Sequence, residues 1–153
     1  MTHQTMVHRT ETLERTYAAS PMRVFRAWED PEIRRIWGAP STDVEIRNEA
    51  ADFRVGGEDI QICMVGGEPV ATVVGRYLDI VPDARIVYSE AISEGSTLLG
   101  VSLISAEFIG VENGTRMVLT LQTVAVDGSD LLEGVKVGWT NALDNLAGVL
   151  IPA

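Results

Sequence analysis

Between Gly128 and Leu150 the apolar positions recur at a helical spacing. At about 100° per residue, Leu131, Leu132, Val135, Trp139, Ala142, Leu143, Leu146 and Leu150 fall within an arc roughly 120° wide. Glu133, Thr140, Asn141, Asp144 and Asn145 take the other side, Ser129 or Asp130 is placed to cap the start, and Pro152 closes the end. A helix of this length runs on the order of 30 Å at about 1.5 Å per residue. The rest of the chain must supply the surface it lies on.

Upstream the pattern is different. Val7 to Tyr17 holds the strand formers Thr10, Thr12, Thr16 and Tyr17 in a half-exposed alternation and predicts a first strand. Ser20-Pro21 and Asp30-Pro31 each pair a capping residue with a proline suited to the first helical position, so two short helices stand in tandem. The first has Val24, Phe25 and Trp28 as its apolar face, the second Ile33, Ile36 and Trp37. From Pro40 to Gly128 the texture is β-branched runs broken by turn residues, which predicts strands at Thr42 to Glu49, Glu58 to Val65, Val70 to Ile80, Arg85 to Ile92, Leu98 to Phe108 and Thr115 to Val124. Gly66-Gly67, Pro82-Asp83 and Asn113-Gly114 are turn chemistry, so neighbouring strands should pair antiparallel.

These elements predict an α+β fold in which a curved antiparallel sheet of six to seven strands wraps around the long C-terminal helix, with two short helices after the first strand. A curved sheet and one helix cannot close-pack throughout, so a cavity between them is the candidate site.

Composition narrows the picture. A chain of 153 residues has the size of one domain, here 1–153 with a core over about 10–150, and 46% hydrophobic content excludes disorder. No apolar run reaches the roughly 18 residues of a membrane span, the N-terminus lacks the apolar core of a signal peptide, and a lone Cys63 makes no intrachain disulfide. A bacterial-type cytoplasm is the expected location. The net charge of -10 repels phosphate backbones and anionic lipid heads, so neither nucleic acid nor membrane is expected as a partner, while a homodimer is compatible with the sequence.

Several segments resemble one known family. The stretch Ser20 to Glu32 (SPMRVFRAWEDPE) with Trp37 and Pro40 resembles the start of the heat-shock protein 90 ATPase activator-like branch of the SRPBCC (START-like) superfamily. Phe53 to Gly57 (FRVGG) is similar to its glycine-pair motif, Gly75 to Tyr88 to its central hairpin, Gly114 to Thr120 to its last strand, and Gly138-Trp139 with Leu143 to Leu146 to its terminal helix. The resemblance covers about residues 10 to 150 and implies a helix-grip fold with a hydrophobic cavity. Members range from ligand carriers to cyclases, dehydratases and chaperone regulators, so fold does not fix function. The eukaryotic chaperone activators carry an additional N-terminal domain for which this chain has no room, so a chaperone partner ranks last.

The chemistry is limited by what is missing. The two histidines, His3 and His8, are expected to precede the first strand, which leaves no imidazole in the cavity and no set of ligands for a metal, and no cofactor is expected. Cys63 is expected to be a small buried hydrophobe. Carboxylates and Arg76 remain. Glu107 shares a strand face with Leu99, Val101, Leu103 and Ser105, and Glu90 with Ile86, Tyr88 and Ile92. Pointing inward, either would be desolvated and able to act as acid or base; the preferred reading places both at strand ends, reaching water or an arginine. Gly56-Gly57 is expected to make a bulge and Gly66-Gly67 a hairpin turn, neither being a phosphate cradle.

The candidate ligand-binding set is Trp37, Phe53, Met64, Tyr77, Tyr88, Met117, Trp139 and Leu143, with catalytic and metal sets empty. The leading expectation is non-catalytic binding of a small, largely apolar ligand between sheet and C-terminal helix. A cyclase- or dehydratase-like enzyme acting on a polyketide-like or aromatic substrate is second, and a protein-interaction module third. Gly134 and Gly138 form a side-chain-free notch beside the helix stripe, either a packing contact, which is the expectation, or room for a ligand at the cavity edge.

Overall fold

The computed structural model describes residues 5–128 and 130–151. Its elements are β1 (Val7–Tyr17), α1 (Pro21–Glu29), α2 (Pro31–Trp37), β2 (Val44–Ala51), β3 (Glu58–Val65), β4 (Glu68–Val81), β5 (Arg85–Glu94), β6 (Thr97–Val111), β7 (Gly114–Ala125) and α3 (Asp130–Val149). The strands form one antiparallel sheet in the order β1-β7-β6-β5-β4-β3-β2. Register shifts at Asn48/Ala50, Cys63/Met64, Tyr77/Asp79 and Ile92/Ser93 bend it around the helices.

The predicted elements are all present, with shifted ends. β2 starts at Val44 rather than Thr42 because Ser41 to Asp43 turn on themselves, the Ser41 hydroxyl bonding Asp43 Oδ1 at 2.5 Å. Ser20 Oγ accepts from the Arg23 amide and Asp30 Oδ1 from the Glu32 amide, which fixes the two short helices in tandem. Of the two expected caps of α3, Ser129 lies outside the described residues, as does the stop at Pro152, and Asp130 is the first residue of the helix itself. Asn113, with φ 65°, makes the last hairpin as its Asn-Gly pair predicts.

Two expectations need correction here. His8 belongs to β1 and is exposed on its outer side. By contrast, Gly56-Gly57 makes the expected bulge at the end of a tight turn: Gly56, at φ 84°, and Gly57 together stand opposite Tyr77 of β4, the Gly56 amide donating to the Tyr77 carbonyl at 2.8 Å and the Tyr77 amide to the Gly57 carbonyl at 3.1 Å. In α2 it is Arg34 and Trp37 that are buried, while Ile36 is 59% exposed, because a helix of two turns has one inward side and residues three apart share it.

α3 packs on α2, β1 and β7. Ala142, Leu143 and Leu146 are buried in one core with Leu119, Leu121, Ile104 and Ile86 of the sheet, and Leu132 is buried as well. The polar face is used as well: the Tyr17 hydroxyl donates to the Leu143 carbonyl at 2.8 Å, Arg15 pairs with Asp144 at 3.1 Å, and Asn141 Nδ2 donates to the Pro40 carbonyl at 2.8 Å. At the start of the helix Leu131 lies directly on Gly100, where any Cβ would collide with its side chain and with the Val124 carbonyl. The helix is thereby held over the β1 end of the sheet, and space remains between its first half and the concave side of β3, β4 and β5.

Candidate functional site

That space is a cavity of about 240 Å³. Trp28, Trp37, Tyr77 and Tyr88, all buried, form its inner end. The Trp28 ring stacks on Trp139 at 5.7 Å and 11°, Trp37 packs against Trp28 at 4.9 Å, and Tyr77 meets Tyr88 at 5.5 Å. Half-buried Gln61, Cys63 and Leu131 with exposed Gly134 line the other end, where the cavity opens. A cavity of about 150 Å³ already admits benzene, so this one has room for a ring and a few further atoms.

The inner wall is not uniformly apolar. Asp59 pairs in register with Gly75, Gly75 with Glu90, Glu90 with Ser102, and Ser102 with Thr123. One rung of the sheet therefore carries polar side chains inward across five strands, with a glycine between the two carboxyls. The Ser102 and Thr123 hydroxyls bond each other at 2.8 Å. Arg34 reaches in from α2, donating through Nη2 to Asp59 Oδ1 and through Nη1 to the Tyr77 hydroxyl at 2.5 Å. Burial opposes the Arg34 charge, but Tyr77, Asp59 and Tyr88 outweigh it and hold its pKa above the ordinary value. On Asp59 burial prevails over the pull of Arg34 and pushes the carboxyl up. The Tyr77 phenol is pushed up to about 12, first by burial.

Glu90 differs from Asp59 in having no basic side chain within ion-pair distance among the described residues. Burial, then the Asp59 charge, raises its pKa to about 7, against the pull of the Tyr88 hydroxyl and Arg34. Glu90 does keep some accessible surface, but that surface is cavity wall and its surroundings are protein, so desolvation dominates. The strand-end reading thus fails for Glu90, which sits in the body of the sheet facing the cavity. Glu107 reaches water, as the preferred reading had it, but from within β6 rather than from its end: Ile104, Ala106 and Phe108 turn inward and leave the odd-numbered positions of the strand outside.

Of the expected ligand-binding set, Trp37, Tyr77, Tyr88 and Trp139 converge on the cavity. Phe53 backs it from behind, edge-on to Tyr77 at 4.9 Å and to Phe25 at 5.7 Å. Met117 and Leu143 are buried in the core and do not line the space. Met64 points away, since Cys63 is opposite the inward Ile46 and its neighbour must face outward. Cys63 is half-buried and lines the cavity instead of filling the core; burial, then Glu90, raises its thiol, which keeps it protonated and a poor nucleophile. Arg76 lies on the outer face, 3.5 Å from Glu58.

Arg34, Asp59, Gln61 and Trp28 complete the site, and none was expected there. Their signals were present: Arg34 stands three residues before Trp37 on one helix side, and Asp59, Gln61 and Cys63 alternate with Ile60, Ile62 and Met64. In β3 that alternation is inverted, polar side inward, so the usual assignment of the apolar face to the interior picks the wrong one.

Solved structures share the architecture. A crystal structure of protein Mll3558 from Rhizobium loti is 36% identical over 95% of this chain and 99% of its own, with a TM-score of 0.83. A protein from Rhizobium leguminosarum is 33% identical over 95% and 98% (TM-score 0.78), and protein CV1439 from Chromobacterium violaceum is 26% identical over 94% and 98% (TM-score 0.83). No curated protein matches by sequence. Residues 18–150 match the family described as Activator of Hsp90 ATPase homolog 1-like protein, and with a sheet and helices of the kind that resemblance implied, the chain belongs to that family.

Proposed function

We propose that the protein binds a small, largely apolar molecule in the cavity between α3 and the sheet. One observation carries this reading: about 240 Å³ of space walled by Trp28, Trp37, Trp139, Tyr77 and Tyr88, which offers aromatic surface on several sides and excludes large lipids by size. Native mass spectrometry of protein purified without denaturation tests it together with thermal midpoints across a panel of one- and two-ring compounds. At least one compound is expected to raise the midpoint, as mass action requires. A flat panel with no carried mass would end this reading in favour of a protein-interaction module.

A second reading, an enzyme acting by acid-base chemistry on an aromatic or polyketide-like substrate, is favoured by Glu90, whose pKa of about 7 suits proton transfer near neutrality. Product formed from a bound compound by wild type and not by Glu90→Gln would select the enzyme; equal recovery of unchanged compound from both would select carriage.

A further inference from the structure

We propose that the ligand is an organic cation, an aromatic or alkyl amine whose ammonium pairs with Glu90 while its apolar part lies against the tryptophans. This rests on the cavity reading above and adds the charge of its occupant. Arg34 and Asp59 compensate each other, and the other residues lining the cavity include neither lysine nor histidine. Glu90 is therefore a surplus carboxyl facing empty space. Five aromatic rings line the same space, and a cation gains from their faces where an anion does not. The net charge of -10 draws cations toward the molecule as a whole.

The groups around Glu90 set the pH dependence. From β3 it faces Asp59 and Cys63, from β4 Tyr77, from α2 Arg34, and from its own strand Tyr88; β6 contributes the Ser102 hydroxyl, and α3 contributes no titratable residue to the lining. The phenols and the thiol, all raised, stay neutral near pH 7, and Asp59, though raised as well, is paired with Arg34, so Glu90 is the carboxyl without a basic partner whose charge changes there. Its ionised share rises from about a tenth at about pH 6 to about nine tenths at about pH 8, and a cation should bind about tenfold more tightly at the higher value.

Three probes on one skeleton provide the test: 2-phenylethylamine, 2-phenylethanol and 3-phenylpropanoate. Each is titrated into wild type and Glu90→Gln at both pH values while the tryptophan indole resonances are followed by NMR. The amine is expected to bind most tightly, to tighten about tenfold from the lower to the higher pH, and to lose both the preference and the pH dependence in Glu90→Gln. The wild-type pH dependence stands as a test on its own if that variant folds poorly. Equal binding of the alcohol, preference for the carboxylate, or an amine that binds better at the lower pH would overturn the cation assignment and leave the cavity reading in place. No binding by any of the three would overturn both.

Discussion

A carboxyl on the concave face of a sheet is satisfied by water, by a basic partner or by a proton. Asp59 takes the second course through Arg34, and Glu90 takes the third. Its consequence for stability has a definite sign. The folded protein holds the Glu90 proton up to about pH 7, whereas the unfolded chain releases it near its ordinary 4.5, so the folded state binds more protons between those values. Stability is therefore unaffected by Glu90 below the unfolded value, falls as pH rises through the window, and is reduced above the folded value by roughly 3 kcal/mol. Glu90→Gln, which keeps the shape and discards the charge, should match wild type near pH 4.5 and exceed it at about pH 8 by up to that amount. Urea midpoints at the two pH values check this, and curves that stay parallel would show that water or an ion relieves the carboxylate.

At the scale of the element, α3 is positioned by contacts that a helical wheel does not contain. Its apolar stripe packs as its period predicts, but Asn141, Asp144 and the Leu143 carbonyl on its other faces tie it to the α2 loop and to β1. The two glycines of the notch have different surroundings. A Cβ at Gly134 would meet nothing within 4 Å, so the notch is open space at the cavity mouth there. A Cβ at Gly138 would lie 3.3 Å from Pro40 Cβ, so there the notch is a packing contact as well as cavity lining. Gly134→Ala should raise stability by up to about 1 kcal/mol through helix propensity alone. Gly138→Ala gains the same propensity but must push Pro40 aside, and its urea midpoint should fall below that of Gly134→Ala. Equal midpoints would mean that Pro40 yields freely and that the contact has no cost.

For the molecule as a whole, no group of three His, Cys, Asp or Glu among the described residues is arranged to hold a metal ion, and no helix among them is long and apolar enough to cross a membrane. A chelator should leave the thermal midpoint unmoved, and a fall of several degrees would reveal a metal-dependent fold. The order of elements and the antiparallel pairing were legible in the sequence because both follow from local rules: proline after a capping residue, Asn-Gly between two strands, a 3.6-residue apolar period over about 20 positions. That Trp37, Tyr77, Tyr88 and Trp139 would line the space between sheet and helix was legible too, since large aromatic residues on an inward face have few other places to go. Arg34, Asp59 and the role of Glu90 were not. Each is a charged residue in a segment that reads equally well with it facing water, and nothing local distinguishes the two orientations. What turned them inward is the placement of α3 over β1 and β7, with Gly100 admitting Leu131 at one end and Asn141 holding Pro40 near the other. That placement leaves the β3 to β5 part of the concave face without a helix to cover it. An uncovered inner face beside open space tolerates polar groups that a packed core would reject. The chain's own periodicities determined the sheet and the helix, and only the gap between them, a tertiary quantity, decided which charges became part of a site.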